Sequence, residues 1–311
     1  MQNLEQTELK RKKVIIDEKE AVSSIEDGMI VSIGGFLLSS HPMSLIRQII
    51  KRGVKNLTLV GPVSASIETD LLIGAGCVKK LITSYCGVEE YAPICPLYRA
   101  FAEQGKIEIY EVDESHYYNG LKAAALQLPF FPDLAGVGTS FPKVNPAFKV
   151  FQDPIKGQTL LAIPPIEPDV SLLYAAHSDP YGNVQPIGTG FGDRMHWIAC
   201  KKVFVQVEKI IDNLELRKFP ERTAYHSADG VVRAPYGSHP FAGPGYYVED
   251  GNHIREYLAA AEEYAKGGNR KKYDAYLEKY VYEPEDQVAY LERVGLRHLL
   301  SLHEDVKFQL T

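Results

Sequence analysis

From Met29 onward the sequence alternates apolar runs with amphipathic ones at a regular beat: MIVSIGGF, SLIRQIIKR, NLTLVGP, IETDLLIGAG, VKKLITSYCG, LYRAFAEQG, KIEIYEV and then an Ala-rich run. Strand followed by helix, four times over, predicts an α/β fold: an open, mostly parallel sheet flanked by helices, since parallel neighbours need a crossover between them. The strand candidates are almost continuously apolar, as expected when helices cover both sheet faces. Gly53, Gly76 and Gly105 each follow a helical run, where a left-handed residue closes the helix.

The second half adds strand candidates in TLLAIPPI, VSLLYAAH, KKVFVQVEKI and GVVRAPYG, expected to extend the same sheet. After Gly251 the pattern turns helical, with Ile254, Tyr257, Leu258, Ala261, Tyr264 and Ala265 on one face. GGNRKK breaks that run and two more helical runs follow. The expectation is one unit over residues 1–311, with a core from about 14 to 250 and a helical C-terminal extension from about 251 to 300 folded against it.

Composition narrows the function classes. The chain has 45% hydrophobic and 24% charged residues and a net charge of −6, with no Lys/Arg stripe, which argues against a nucleic-acid or anionic-membrane surface. The basic run Lys10 to Lys13 reads as a solvated lead-in. No stretch approaches the ~20 apolar residues of a membrane span, and MQNLEQTELKRKK carries no signal-peptide core, so the expected compartment is the cytoplasm. Cys77, Cys86, Cys95 and Cys200 lack CxxC spacing and paired histidines; buried free thiols are expected, with no metal site.

Candidate ligand loops lie where strands end, because ligands of open α/β sheets bind beyond the carboxyl ends of the strands. Gly34, Gly35 and Phe36 close the first strand. No GxGxxG or GxxxxGK[ST] is present, so nicotinamide and ATP chemistry lose support. Ser64 and Ser66 in GPVSASIE sit at a strand-to-helix turn, either as caps or as ligand contacts. GVGTS, with Gly138 and Thr139, is a second turn of that kind, and no GxSxG elbow appears. His177 and His239 lie near strand ends, where a structural role is the commoner one. In EVDESHYYNGL, Asp113 or Ser115 can cap the helix that follows, while Glu114 is either a first-turn acid or a chemical one.

Taken in order, DGMIVSIGGF, KAAALQLPFFP, YAAHSDPYGN, APYGSHP and the tail YLERVGLRHLLSL resemble the α subunits of glutaconate CoA-transferase, a family I CoA-transferase, over nearly the whole chain. The resemblance implies a CoA-transferase-like fold and a two-subunit enzyme with its site at the subunit interface. CoA would pass between carboxylic acids through a glutamyl-CoA thioester on the β subunit, with an acyl-CoA as substrate and no tightly bound cofactor. The loop that carries a Ser-Glu-Asn-Gly nucleophile in the β partner looks here like GPVSASIE, without Glu-Asn-Gly. Gly34, Gly35 and Phe36 then belong to the family's glycine motif, Ser64 and Ser66 lie in a loop that would face the acyl group, and glycine and small-residue turns can supply N–H donors to oxyanions. The segment DESHYYNGLKAAALQLPFFPDLAGVGTS also resembles the corresponding α-type subunit of CoA-transferase-like hydrolases that open a ring in steroid degradation, which implies Glu114 as a general base. A third possibility is a substrate-binding half that contributes no catalytic side chain.

Overall fold

The computed structural model describes residues 12–188, 190–267 and 269–303. Its main sheet is eight-stranded, and seven strands run parallel: β1 (Ile30–Ile33), β2 (Leu57–Val60), β3 (Val78–Ile82), β4 (Glu108–Tyr110), β5 (Val170–Ser178), β6 (Lys202–Ile210) and β7 (Gly230–Arg233). Their order across the sheet is β7-β6-β5-β1-β2-β3-β4. The short strand Val184–Gln185 folds back antiparallel onto the end of β5. The open parallel architecture expected from the alternation is therefore the one found.

Helices cover the sheet as the strand composition requires. The helix Met43–Arg52 is buried from Met43 to Ile50, including Ser44, Arg47 and Gln48, because the C-terminal helices cover its outer side. Arg47 donates to Gln287 Oε1 and lies over the Tyr290 ring, and Gln48 donates to Glu18. Gly53 ends the helix in the left-handed conformation, as the sequence indicates.

TLLAIPPI departs from expectation. Thr159–Ile163 does not join the main sheet; it is the centre of a separate antiparallel sheet with Phe131–Asp133 on one side and Lys149–Gln152 on the other. Two local causes account for this. Pro164 and Pro165 lack the N–H groups that would continue the strand, and Asp153 accepts the N–H groups of Ile155, Lys156 and Gln158, which closes a tight hairpin to its neighbour. Val60, Ile82, Val112, Tyr117, Leu121, Phe148, Leu161 and Ile163 form one apolar cluster that seats this small sheet beside the main one.

The tail consists of helices Gly251–Ala265, Lys271–Leu277 with a π-helical continuation to Tyr282, Gln287–Val294 and Leu296–Ser301. It packs onto the sheet domain through buried tyrosines: Tyr257 donates to Asp70 and Tyr273 to the Leu71 carbonyl. Among the described residues, no helix is long and apolar enough to cross a membrane.

Candidate active site

The chain leaves β1 towards β2 on one side and returns much later to β5 on the other, so β1 and β5 flank the topological switch point of the sheet. A crevice is expected beyond their carboxyl ends. Gly34 and Gly35 occupy that point because nothing larger fits. A Cβ on Gly34 would lie 2.5 Å from Asp193 Oδ1 and 2.6 Å from Leu173; one on Gly35 would lie 2.7 Å from His41 Nδ1, and Gly35 also has φ +109°.

The donors of this turn are already engaged. Gly34 N–H donates to Leu172 O at 2.9 Å, Gly35 N–H to Asp193 Oδ1 at 2.9 Å, Phe36 N–H to Ser39 O at 3.0 Å and Leu37 N–H to Ser64 O at 3.0 Å. In this conformation the four N–H groups of the turn serve the backbone and Asp193, because satisfying a buried backbone takes precedence. What the turn presents instead is an aromatic surface. Phe36 stacks on Phe191 with ring centroids 3.8 Å apart, and Phe191 is 54% exposed.

Asp193, at the start of the helix Asp193–Ala199, is not among the residues the sequence singles out; its cue is the glycine-rich GTGFGD before that helix. It is buried, and burial pushes its carboxyl up to about 7 against the Gly35 N–H that pulls it down. Tyr118 packs against Gly192. Burial pushes its phenol up to about 12, reinforced by the negative charges of Glu114 and Asp193. One phenol therefore lies in the field of both carboxylates.

Asp113 is the cap of the helix Glu114–Ala125: its carboxylate accepts the His116 N–H at 2.8 Å. Glu114 occupies the first turn, exposed, and among the described residues its side chain makes no hydrogen bond or ion pair. Capping accounts for Asp113 and leaves Glu114 free. Ser115 donates to Asp133, which also accepts from Asn119 and the Ala135 N–H.

The other candidates divide. Ser64 is half-buried and its carbonyl holds the β1 turn, whereas Ser66 is wholly buried with its hydroxyl unpaired, so only Ser64 can present a side chain to a ligand. Gly138 and Thr139 sit on an exposed turn fastened to the Glu114 helix by His116, which bonds the Ala135 carbonyl at 3.0 Å; Thr139 donates to Gly136 O. No hydrogen bond among the described residues joins them to the Gly34–Phe36 turn. His177 bonds Tyr246 at 2.7 Å. His239, Asp250 and His253 bring potential ligand atoms within 4.8 Å of one another, yet both His239 nitrogens are already engaged, by Tyr290 and Asp250, and His298 also bonds Asp250. That network anchors the tail to the APYGSHP turn.

Two buried sets carry no signal in the sequence. Tyr117 donates to Gly61 O and pairs with His196 Nε2 at 2.9 Å, while burial holds the His196 imidazole down to about 3. His41 and Glu68 face each other beneath Gly35 with Nδ1 and Oε2 3.4 Å apart.

Comparisons with known proteins agree with this layout. Residues 16–234 match the family model described as Coenzyme A transferase. The α subunit of the glutaconate CoA-transferase of Acidaminococcus fermentans is 28% identical over 91% of this chain and 92% of that protein. The crystal structure of that transferase superposes with a TM-score of 0.85, covering 93% of this chain and 95% of that one. The cholesterol ring-cleaving hydrolase IpdA subunit of Rhodococcus jostii is 30% identical over 81% of this chain and 87% of that protein. An uncharacterized protein of Archaeoglobus fulgidus is 38% identical over 89% of this chain, which spans 61% of that relative's length.

Proposed function

This chain belongs to the coenzyme A transferase family, and from that premise we propose that it is the α subunit of a two-subunit CoA-transferase that moves CoA from an acyl-CoA to a carboxylic acid. One observation carries the division of labour. The carboxylate nearest the loop after β2, Glu68, is wholly buried and held by the Ser66 N–H and the Thr69 hydroxyl. It cannot reach a thioester, so the nucleophilic glutamate is assigned to a β subunit of similar fold.

In this reading the partner's carboxylate attacks the acyl-CoA carbonyl, releasing CoA thiolate and leaving a mixed anhydride. The thiolate then attacks the glutamyl carbonyl of that anhydride, giving a glutamyl thioester and free carboxylate, and an acceptor acid runs both steps in reverse. Gly34, Gly35, Phe36 and Ser64 border the acyl group, Phe191 extends the apolar wall, and Gly138 and Thr139 line the outer rim. Coenzyme A enters only as the substrate thioester, with no tightly bound cofactor. Incubating the complex with acyl-CoA and then borohydride tests this: a reduced glutamyl adduct on the partner is expected. An adduct on Glu68 or Glu114, or robust transfer by the isolated chain, would overturn it.

A second reading rests on Glu114, an exposed carboxylate freed from capping by Asp113 and four residues before Tyr118 on the same helix, whose phenol burial and then the Glu114 charge raise. Placed so, Glu114 is the general base of a hydrolase that cleaves a carbon–carbon bond in a cyclic CoA ester; the Rhodococcus relative is a cholesterol ring-cleaving hydrolase subunit.

A further inference from the structure

The pair beneath Gly35 admits few proton arrangements. His41 Nε2 lies 2.9 Å from the Leu37 carbonyl, which only accepts, so Nε2 carries a hydrogen. Glu68 Oε1 accepts from the Ser66 N–H at 2.7 Å and from Thr69 Oγ1 at 3.2 Å. That leaves His41 Nδ1 and Glu68 Oε2 facing each other at 3.4 Å, both fully buried and, among the described residues, neither with another partner. With Glu68 ionised and His41 neutral, two acceptors would face each other. With both charged, two ions would be stripped of water with no further hydrogen bonds at those atoms, a costly arrangement. One proton on Oε2 satisfies both atoms.

We propose that Glu68 is a positioning residue for the reaction: as the neutral acid it donates its Oε2 proton to His41 Nδ1 and so ties the β2 turn, Ser64–Ser66, to the β1 turn, Gly34–Leu37, beneath the acyl site. This rests on the transferase-family reading of that site. The Leu37 N–H to Ser64 O bond joins the same two turns from above, so the loops that border the acyl group are fastened at two levels. His41 is set in turn by its N–H to Ser238 Oγ and by the Phe241 ring. Burial acts in the same sense, pushing the Glu68 carboxyl up to about 8 and the His41 imidazole down to about 3.

The arrangement also keeps charge away from a place where anionic substrates meet. The other titratable groups around it are Asp70 on the same helix and the thiols of Cys86 and Cys95, all pushed up by burial, with Asp193 on the far side of Gly35. None supplies a cation that would hold Glu68 as a carboxylate.

Two measurements on the reconstituted complex test the proposal. In Glu68→Gln the amide keeps an acceptor for Ser66 and a donor for His41, so turnover should stay within ~3-fold of wild type; Glu68→Ala, which leaves both orphaned, should lower kcat ~10–100-fold with little change in KM. The infrared difference between wild type and Glu68→Gln should show the carbonyl stretch of a protonated acid at neutral pH, and the ¹⁵N shift of His41 Nδ1 that of a bare acceptor. A carboxylate band, a protonated Nδ1, or a Glu68→Gln variant as impaired as Glu68→Ala would overturn it. The spectra need no activity, so they decide the pair even if the complex transfers no CoA.

Discussion

Asp193 Oδ1 accepts the Gly35 N–H at 2.9 Å, joining two residues 158 positions apart and placing a buried carboxylate at the mouth of the glycine turn. An N–H that stabilises an oxyanion must be free when the oxyanion forms, so this bond has to loosen for Gly35 to serve as a donor. Asp193→Asn keeps an acceptor but removes the ionisation that burial pushes up to about 7. The expected outcome is a folded enzyme whose rate profile loses an ionisation near neutrality. A profile unchanged by Asp193→Asn would remove Asp193 from the reaction.

Gly35→Ala tests the turn itself. The added methyl meets His41 at 2.7 Å in a backbone conformation that side chains rarely adopt, and the combination should cost about 2–4 kcal/mol of stability. Turnover should fall in the fraction that still folds. A melting temperature equal to wild type would mean that the turn relaxes freely.

The fold is legible in the sequence where its cause is local, and the site only in part. Alternating strand and helix runs and the closing glycines report backbone preferences within a few residues, and β1, β2 and the Gly34–Gly35 turn lie where those runs end. The small antiparallel sheet is hidden because its strands Phe131–Asp133 and Lys149–Gln152 are three and four residues long, too short for periodicity to show. Asp193, His41 and Glu68 matter through contacts across the sheet, which no window of sequence contains. Nor can the motif say that Ser66 points inward while Ser64 does not; that depends on how the turn after β2 packs on Glu68.

Stability should fall as pH rises from about 6.5 to about 8, above the range in which the unfolded chain protonates His41 and His196, whose imidazoles burial holds down to about 3 in the fold and whose contribution therefore grows with pH up to about 6.5. Burial pushes Glu68 up to about 8 and Asp70, Asp193 and Glu208 each up to about 7. The folded protein holds these protons while the unfolded chain releases them near the ordinary carboxylate range of about 4. Their contribution is fully present below that range and is lost as pH climbs through 7 to 8. Asp250 works the other way: burial raises it, but hydrogen bonds from His239 and the His253 N–H pull it well down, so its contribution disappears only in strong acid. Thermal melts across this window should show a declining Tm, with a shallower decline in Glu68→Gln. A Tm that rises with pH would contradict the buried-acid assignment.

Asp113 and Glu114 adjoin in sequence yet differ in task, and paired substitutions separate them. Asp113→Ala removes the acceptor of the His116 N–H; loss of such a cap typically costs about 1 kcal/mol, and turnover should change little. Glu114→Gln preserves shape and removes only charge and proton acceptance from a side chain that makes no hydrogen bond or ion pair among the described residues, so stability should hold within the ~0.3–1 kcal/mol of a helix N-terminal charge. The two functional readings then diverge. A transferase with its nucleophile on the partner should keep CoA transfer within ~10-fold, whereas a hydrolase that uses Glu114 as general base should lose ~10²–10⁴-fold of its CoA-ester cleavage. Measuring both activities in one Glu114→Gln complex decides between them, and if neither changes, the free carboxylate beside Tyr118 has no part in the chemistry.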